Sequence, residues 1–137
     1  MKSTKKVAVV VASRANYGRS KTLIKAIDQH QNLQLVLIVC GSAILDKYGK
    51  TSEIIRNDGL EIAYECNYLL SGSDLRSQST STGLAIIQLT DVLAKVNPNF
   101  VVTIADRYET LATAIAASYQ NIPLIHLQGG DISGNID

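Results

Sequence analysis

Four short stretches of the chain, residues 6–12, 33–40, 100–105 and 122–127, are apolar almost without interruption and rich in Val and Ile. A strand with one wet face would alternate apolar and polar positions; one without alternation is covered on both faces, as in a parallel sheet. Between these runs the pattern changes to steps of three and four. Residues 17–30 place Leu23, Ile24 and Ile27 on one face, and residues 82–96 place Ile86, Leu89, Leu93 and Val96 on another. Residues 43–57 and 107–120 complete four predicted helices. Residues 60–65 form a weaker fifth strand candidate, preceded by the turn signal Asn57-Asp58-Gly59; Asn97-Pro98-Asn99 stops a helix before Phe100. The Ser/Thr-rich segment 71–82 is the one low-complexity stretch, and its composition predicts an exposed, mobile loop. Strands alternating with helices imply right-handed crossovers, and hence an α/β fold with a doubly wound parallel sheet.

Size and charge narrow this picture. The 137 residues, 46% of them hydrophobic, suit one domain with a core. Thirteen Lys and Arg against twelve Asp and Glu leave a net charge of +1, so nothing general draws the chain to nucleic acid or to an anionic membrane. Any anion site must be local. The basic start followed by Val7 to Ala12 is too short for a signal peptide or a membrane span, and reads as a buried first strand of a cytoplasmic protein. Cys40 and Cys66 lack metal-site spacing and are expected to be free thiols; no metal and no cofactor is expected.

The chemistry gathers where strands end. In an open α/β sheet, ligands sit outside the carboxyl ends of the strands. Ser13-Arg14-Ala15-Asn16-Tyr17-Gly18-Arg19-Ser20 follows the first strand. It is either an anion site at a helix start, with Arg14 and Arg19 as ligands, or a plain cap by Ser13 or Asn16 with solvated arginines. It matches neither the dinucleotide nor the P-loop glycine pattern. Asp106, directly after Ile104-Ala105, is either the cap of the next helix or a carboxylate aimed into a pocket. Arg107 and Glu109 read alternatively as a solvated surface pair, Tyr108 as packing, and His126 as a satisfied strand residue. Gly129-Gly130 permits a sharp turn or a close approach to ligand, and Asp131 and Asp137 place two further carboxylates beyond it.

Taken together, Ser13-Arg-Ala-Asn-Tyr-Gly18, Ala105-Asp-Arg-Tyr-Glu109, the run from Ala112 to Ser118 and Asn121-Ile-Pro-Leu-Ile-His-Leu-Gln-Gly-Gly-Asp-Ile-Ser-Gly-Asn-Ile-Asp137 resemble the hydrolysing UDP-N-acetylglucosamine 2-epimerases. The likeness is strongest to the branch that serves sialic and legionaminic acid synthesis. It implies a Rossmann-like domain resembling the amino-terminal half of a GT-B fold, with residues 1–137 as one incomplete domain and the family's carboxy-terminal domain missing. It implies further a UDP-sugar substrate, a homo-oligomeric full-length enzyme, and a chain inactive by itself.

By the same resemblance the acid/base chemistry falls to Asp106, Asp137, Asp131 and position 128, and substrate binding to Arg14, Asn16, Tyr17, Arg107, Glu109, His126, Gly129 and Gly130. Two departures stand out. Gln128 occupies a place where many members carry a glutamate, and glutamine does not ionise. Ala105 replaces the usual glycine, a change expected to be tolerated unless the corner needs positive φ. Two alternatives remain: a non-catalytic sugar-nucleotide or partner-binding domain, and half of a GT-B glycosyltransferase. If half a cleft is missing, one face of the last strands is expected to expose apolar surface.

Overall fold

The computed structural model describes residues 3–130, 132 and 134. Asp131 and Asp137, both expected site residues, lie outside them. Five strands form one parallel sheet: β1 (Lys5–Val11), β2 (Leu33–Cys40), β3 (Tyr64–Cys66), β4 (Phe100–Ile104) and β5 (Leu124–Leu127), in the order β3-β2-β1-β4-β5. The helices are α1 (Arg14–Asp28), α2 (Thr51–Asn57), α3 (Leu75–Val96) and α4 (Tyr108–Tyr119). This is the doubly wound, Rossmann-like arrangement that the alternating pattern predicts. None of the described helices is long and apolar enough to cross a membrane.

The lack of alternation in the strands has its cause in the two cores. Alternate residues of β1 go to opposite sides: Ala8 and Val10 join a cluster with Leu89, Leu93, Ala112 and Ala116 of α3 and α4, while Val7, Val9 and Val11 join one with Ile24 and Ile27 of α1 and Ile55 of α2. Each face of the sheet is therefore roofed by helices. β5 is the exception. It pairs on one edge only, and Ile125 is 43% exposed, the apolar exposure expected of the last strands.

Three elements depart from the sequence reading. The expected helix over 43–57 is three pieces: short 3₁₀ turns at Gly41–Ile44 and Asp46–Tyr48, then α2. Gly49 (φ 81°) and Lys50 (φ 40°) take left-handed conformations between them, which an α-helix cannot accommodate. The fifth strand lies at 64–66 rather than 60–65. The low-complexity stretch is no loop from Leu75 onward but the first two turns of α3. Asp74 caps that helix, its Oδ1 accepting from the Ser77 N–H at 2.9 Å, and this contact holds the carboxyl below its ordinary range. The hydroxyls that suggest disorder are used inside the helix: Thr80 and Thr82 donate to the carbonyls of Arg76 and Gln78 at 2.9 and 2.8 Å. Ser81 accepts from the Leu70 N–H at 3.1 Å, tying the helix to the preceding loop.

Candidate functional site at the sheet switch point

Chain connections leave β1 toward β2 and leave β4 toward β5, so the strand order reverses between the central pair β1 and β4. The carboxyl ends of these two strands are thus the place where an open α/β sheet leaves a crevice. Ala12-Ser13 and Ala105-Asp106 meet there, and Gln128 arrives at the end of β5. A cleft of about 380 Å³ is lined by Arg19, Ala105, Asp106, Gln128 and Gly129.

The β4 end turns sharply. Ala105 has φ 62° and donates its N–H to the Leu127 carbonyl at 2.9 Å; the corner does adopt the left-handed conformation in which a Cβ is strained. Its methyl is thus tolerated at a cost. Relieving a strain of about 1–2 kcal/mol outweighs the roughly 0.4–1 kcal/mol of extra freedom that glycine brings to the unfolded chain. Ala105→Gly is expected to stabilise the fold by about 1 kcal/mol, read as a higher midpoint in urea. An unchanged or lower midpoint would contradict this account of the corner.

Beyond Ala105, α4 begins at Tyr108 with Arg107 as its cap residue and no side chain capping it. Asp106 is therefore not the helix cap. It is exposed, faces the cleft, and makes no side-chain hydrogen bond or ion pair among the described residues. A carboxylate free of structural work, at a strand end in a cleft, has the placement that proton transfer needs.

Glu109 is the reverse. Expected at the surface or at a ligand, it is 2% exposed, its Oε2 accepting from Arg107 Nε at 3.1 Å and its Oε1 without a partner among the described residues. It lies against Gly41, just past the end of β2. Gly41, at φ 59°, sits where a side chain would be strained and crowded: a Cβ would stand 3.3 Å from Glu109 Oε1, 3.1 Å from the Tyr68 hydroxyl and 3.4 Å from the Ala12 carbonyl oxygen. Tyr68 donates to Cys40 Sγ at 3.3 Å, and burial pushes both the phenol and the thiol far above their ordinary ranges. Beside Glu109, a hole of about 10 Å³ among Asn16, Thr103, Thr110 and Thr113 has the room that one water molecule takes.

The first loop divides its residues differently from the sequence reading. Ser13 caps α1, accepting from the Asn16 N–H at 3.1 Å, so the helix starts at Arg14 rather than Tyr17. Asn16 is buried, its Oδ1 accepting from the Ala12 N–H at 3.2 Å, and braces the loop from beneath. Tyr17 does not face the cleft. It is 3% exposed against the α1–α2 side of the core, and its hydroxyl donates to Asp58 Oδ2 at 2.6 Å. Lys21, at 2.7 Å, is the larger influence that holds the Asp58 carboxyl below its usual range. Arg14 is exposed beside the Gly49 turn and does not line the cleft, whereas Arg19 does, donating from Nη1 to Gln128 Oε1 at 3.1 Å.

β5 supplies the other wall. His126 is exposed, and its Nδ1 lies 2.9 Å from the Thr103 hydroxyl, its register partner on β4. The chain folds back so that any Cβ at Gly129 would strike the His126 ring, which explains a glycine there without appeal to a ligand. Gln128 has φ 59° and presents its amide to Arg19. Since a guanidinium only donates, the amide oxygen faces Arg19 and the amide N–H groups are left to donate elsewhere. Gly130 is exposed, at φ 90°, the left-handed conformation that favours glycine. Cys40 and Cys66 are free thiols, buried as register partners on β2 and β3.

Comparison with known proteins bears on family and fold. Residues 25–137 match the family model described as UDP-N-acetylglucosamine 2-epimerase. The UDP-N,N'-diacetylbacillosamine 2-epimerase (hydrolyzing) of Legionella pneumophila is 32% identical over 133 residues, covering 97% of this chain and 35% of that protein. The GDP/UDP-N,N'-diacetylbacillosamine 2-epimerase (hydrolyzing) of Campylobacter jejuni is 32% identical over 136 residues, covering 98% and 35%. The crystal structure of UDP-GlcNAc 2-epimerase from Neisseria meningitidis bound to UDP-GlcNAc superposes with a TM-score of 0.79 at 23% identity, covering 96% of this chain and 34% of that one; this likeness is one of fold. The chain spans about a third of the length of the curated relatives it matches.

Proposed function

The chain belongs to the UDP-N-acetylglucosamine 2-epimerase family, and from that premise we propose that it forms one wall of a cleft in which a UDP-linked 2-acetamido sugar is inverted at C2 and freed from UDP. The observation that carries this reading is Asp106, without a side-chain partner among the described residues at the sheet switch point, with Arg19 and Gln128 lining the same cleft. The other wall falls to a carboxy-terminal domain, in keeping with a chain that spans a third of its relatives.

In the proposed reaction a carboxylate removes the C2 proton while the C1–O bond breaks and its electron pair leaves with UDP, giving a glycal. Water then adds at C1 and a proton at C2 from the opposite face. The balance is UDP-sugar plus water to UDP plus free sugar, and the proton is handled by two groups on opposite faces. Asp106 and Asp137 are assigned these parts, with Asp131 in reserve. Gln128 does not transfer a proton. Its amide N–H groups, left over from Arg19, serve to bind a substrate oxygen.

A second reading, a non-catalytic sugar-nucleotide-binding domain, is favoured by Gln128 alone. The two separate on incubation of the full-length protein with UDP-GlcNAc and with UDP-diacetylbacillosamine. Release of UDP together with a C2-inverted free sugar, followed by proton NMR in deuterated water with deuterium entering at C2, supports the epimerase. Saturable binding with no UDP released from either sugar nucleotide would overturn it. The 137-residue chain alone is expected to release none.

A further inference from the structure

Arg107 stands between two carboxylates. Asp106 precedes it and opens on the cleft; Glu109 follows two residues later, buried at the base of α4. Nε of Arg107 donates to Glu109 Oε2 at 3.1 Å, and Asp106 has no ion-pair partner among the described residues. Burial decides this competition. A surface carboxylate left alone keeps its water, while a buried one has lost it and depends on a partner to offset the loss. The guanidinium is half-exposed and reaches the buried acid from above, over the Tyr108 ring. Among the described residues, Arg107 is the ion-pair partner of Glu109. The titratable groups that feel its charge include Cys40, Tyr68, whose hydroxyl donates to Cys40 Sγ, and Tyr108.

We propose that Glu109 is a positioning residue that holds Arg107 away from Asp106, so that the Asp106 carboxylate enters the cleft unpaired. A guanidinium on Asp106 would favour its charged form and reduce its drive to accept a proton from carbon. The functional weight of this inference rests on Asp106 as an acid/base group of the proposed reaction. Among the described residues, the charged group that lines the cleft with Asp106 is Arg19 from α1; Arg107 adjoins Asp106 in the chain, and Gln128 at the end of β5 is neutral.

The test is an NMR titration of the Asp106 side-chain carboxyl carbon in the 137-residue chain, which needs no activity. Glu109→Gln releases Arg107 and is expected to lower the Asp106 midpoint by about one unit or more. Adding Arg107→Gln to that variant is expected to bring the midpoint back to the wild-type value. A midpoint unmoved by Glu109→Gln, or one that stays low in the double variant, overturns the proposal. Arg107→Gln alone covers the case in which Glu109→Gln does not fold. It is expected to change the midpoint little, and a rise of about one unit or more would mean that Arg107 already pairs with Asp106, which also overturns it. The acid/base reading fails separately: if Asp106→Asn leaves turnover of the full-length protein intact, that reading falls while the titration result stands.

Discussion

Asp106→Asn in the full-length protein is expected to lower the rate of UDP release by a factor of about 10²–10⁴, the usual loss when a positioned acid/base group is removed. The side chain is exposed, caps no helix and pairs with nothing among the described residues. Its replacement by an isosteric amide therefore leaves the melting temperature within the small range of ordinary surface changes, about 0.5 kcal/mol. This pairing of a large kinetic effect with a small stability effect is what separates a catalytic carboxylate from a structural one. The loss is expected in kcat rather than in KM, because asparagine keeps the size and hydrogen-bonding reach of aspartate and lacks only the basicity. A variant with more than half the wild-type rate would remove Asp106 from the chemistry. One that lost activity and stability together would point to a structural role at the β4–α4 corner.

The second large effect concerns the core. Leu89→Ala is expected to cost about 2–5 kcal/mol, a large share of the roughly 5–15 kcal/mol that holds a domain together, and to lower the melting temperature by roughly 10 °C. Leu89 is 0% exposed in α3, within the cluster that includes Val101 of β4 and Ala112 and Ala116 of α4. Its neighbours across the cluster are largely short side chains on fixed strands and helices, poorly placed to collapse into the space left behind. Ile87, two residues earlier on the same helix, is 67% exposed. Ile87→Ala removes more side chain than most surface changes, yet it is expected to stay within about 0.5 kcal/mol. Thermal or urea unfolding of the two variants checks the contrast; comparable losses would show that the outer face of α3 is covered in solution.

Much of the architecture was legible because parallel, doubly covered strands leave an unusual trace. Runs such as Val7 to Ala12 have no polar face, and the runs alternate with helical periodicity, so the doubly wound sheet followed from pattern alone. The errors arose where local chemistry competes with pattern. Ser and Thr at 77–82 suggest a loop by composition, and they form helix because Asp74 caps it and the hydroxyls turn back to the carbonyls four residues earlier. The break at Gly49-Lys50 was hidden because the apolar positions on either side still fall at helical intervals.

At the site, strand-end position leaves Asp106 open between helix cap and pocket carboxylate, and Gln128 stands out only through the family resemblance; the structure brings both to one cleft at the carboxyl edge of the sheet. Tyr17 is buried on the α1–α2 side of the sheet, Glu109 is buried at the base of α4, and Arg14 is exposed beside the Gly49 turn. Each lies within a few residues of a strand end, and spacing does not say which side of the sheet a helix turns toward, nor how deep a side chain sits.

The amino-acid sequence by itself determined the class of fold, the order of strands and helices, and membership of the 2-epimerase family, because these depend on periodicity and on motifs that are local in the chain. Tertiary structure alone decided the pairings across the site: Arg19 with Gln128, and Arg107 with Glu109 rather than with Asp106. The first is a meeting of two exposed side chains brought together by the packing of α1 beside the end of β5; the second turns on the burial of Glu109, which belongs to the packed sheet and its helices and not to any one segment. The same electrostatics that would favour Arg107 beside either acid in water favours the buried one once the fold has taken its water away.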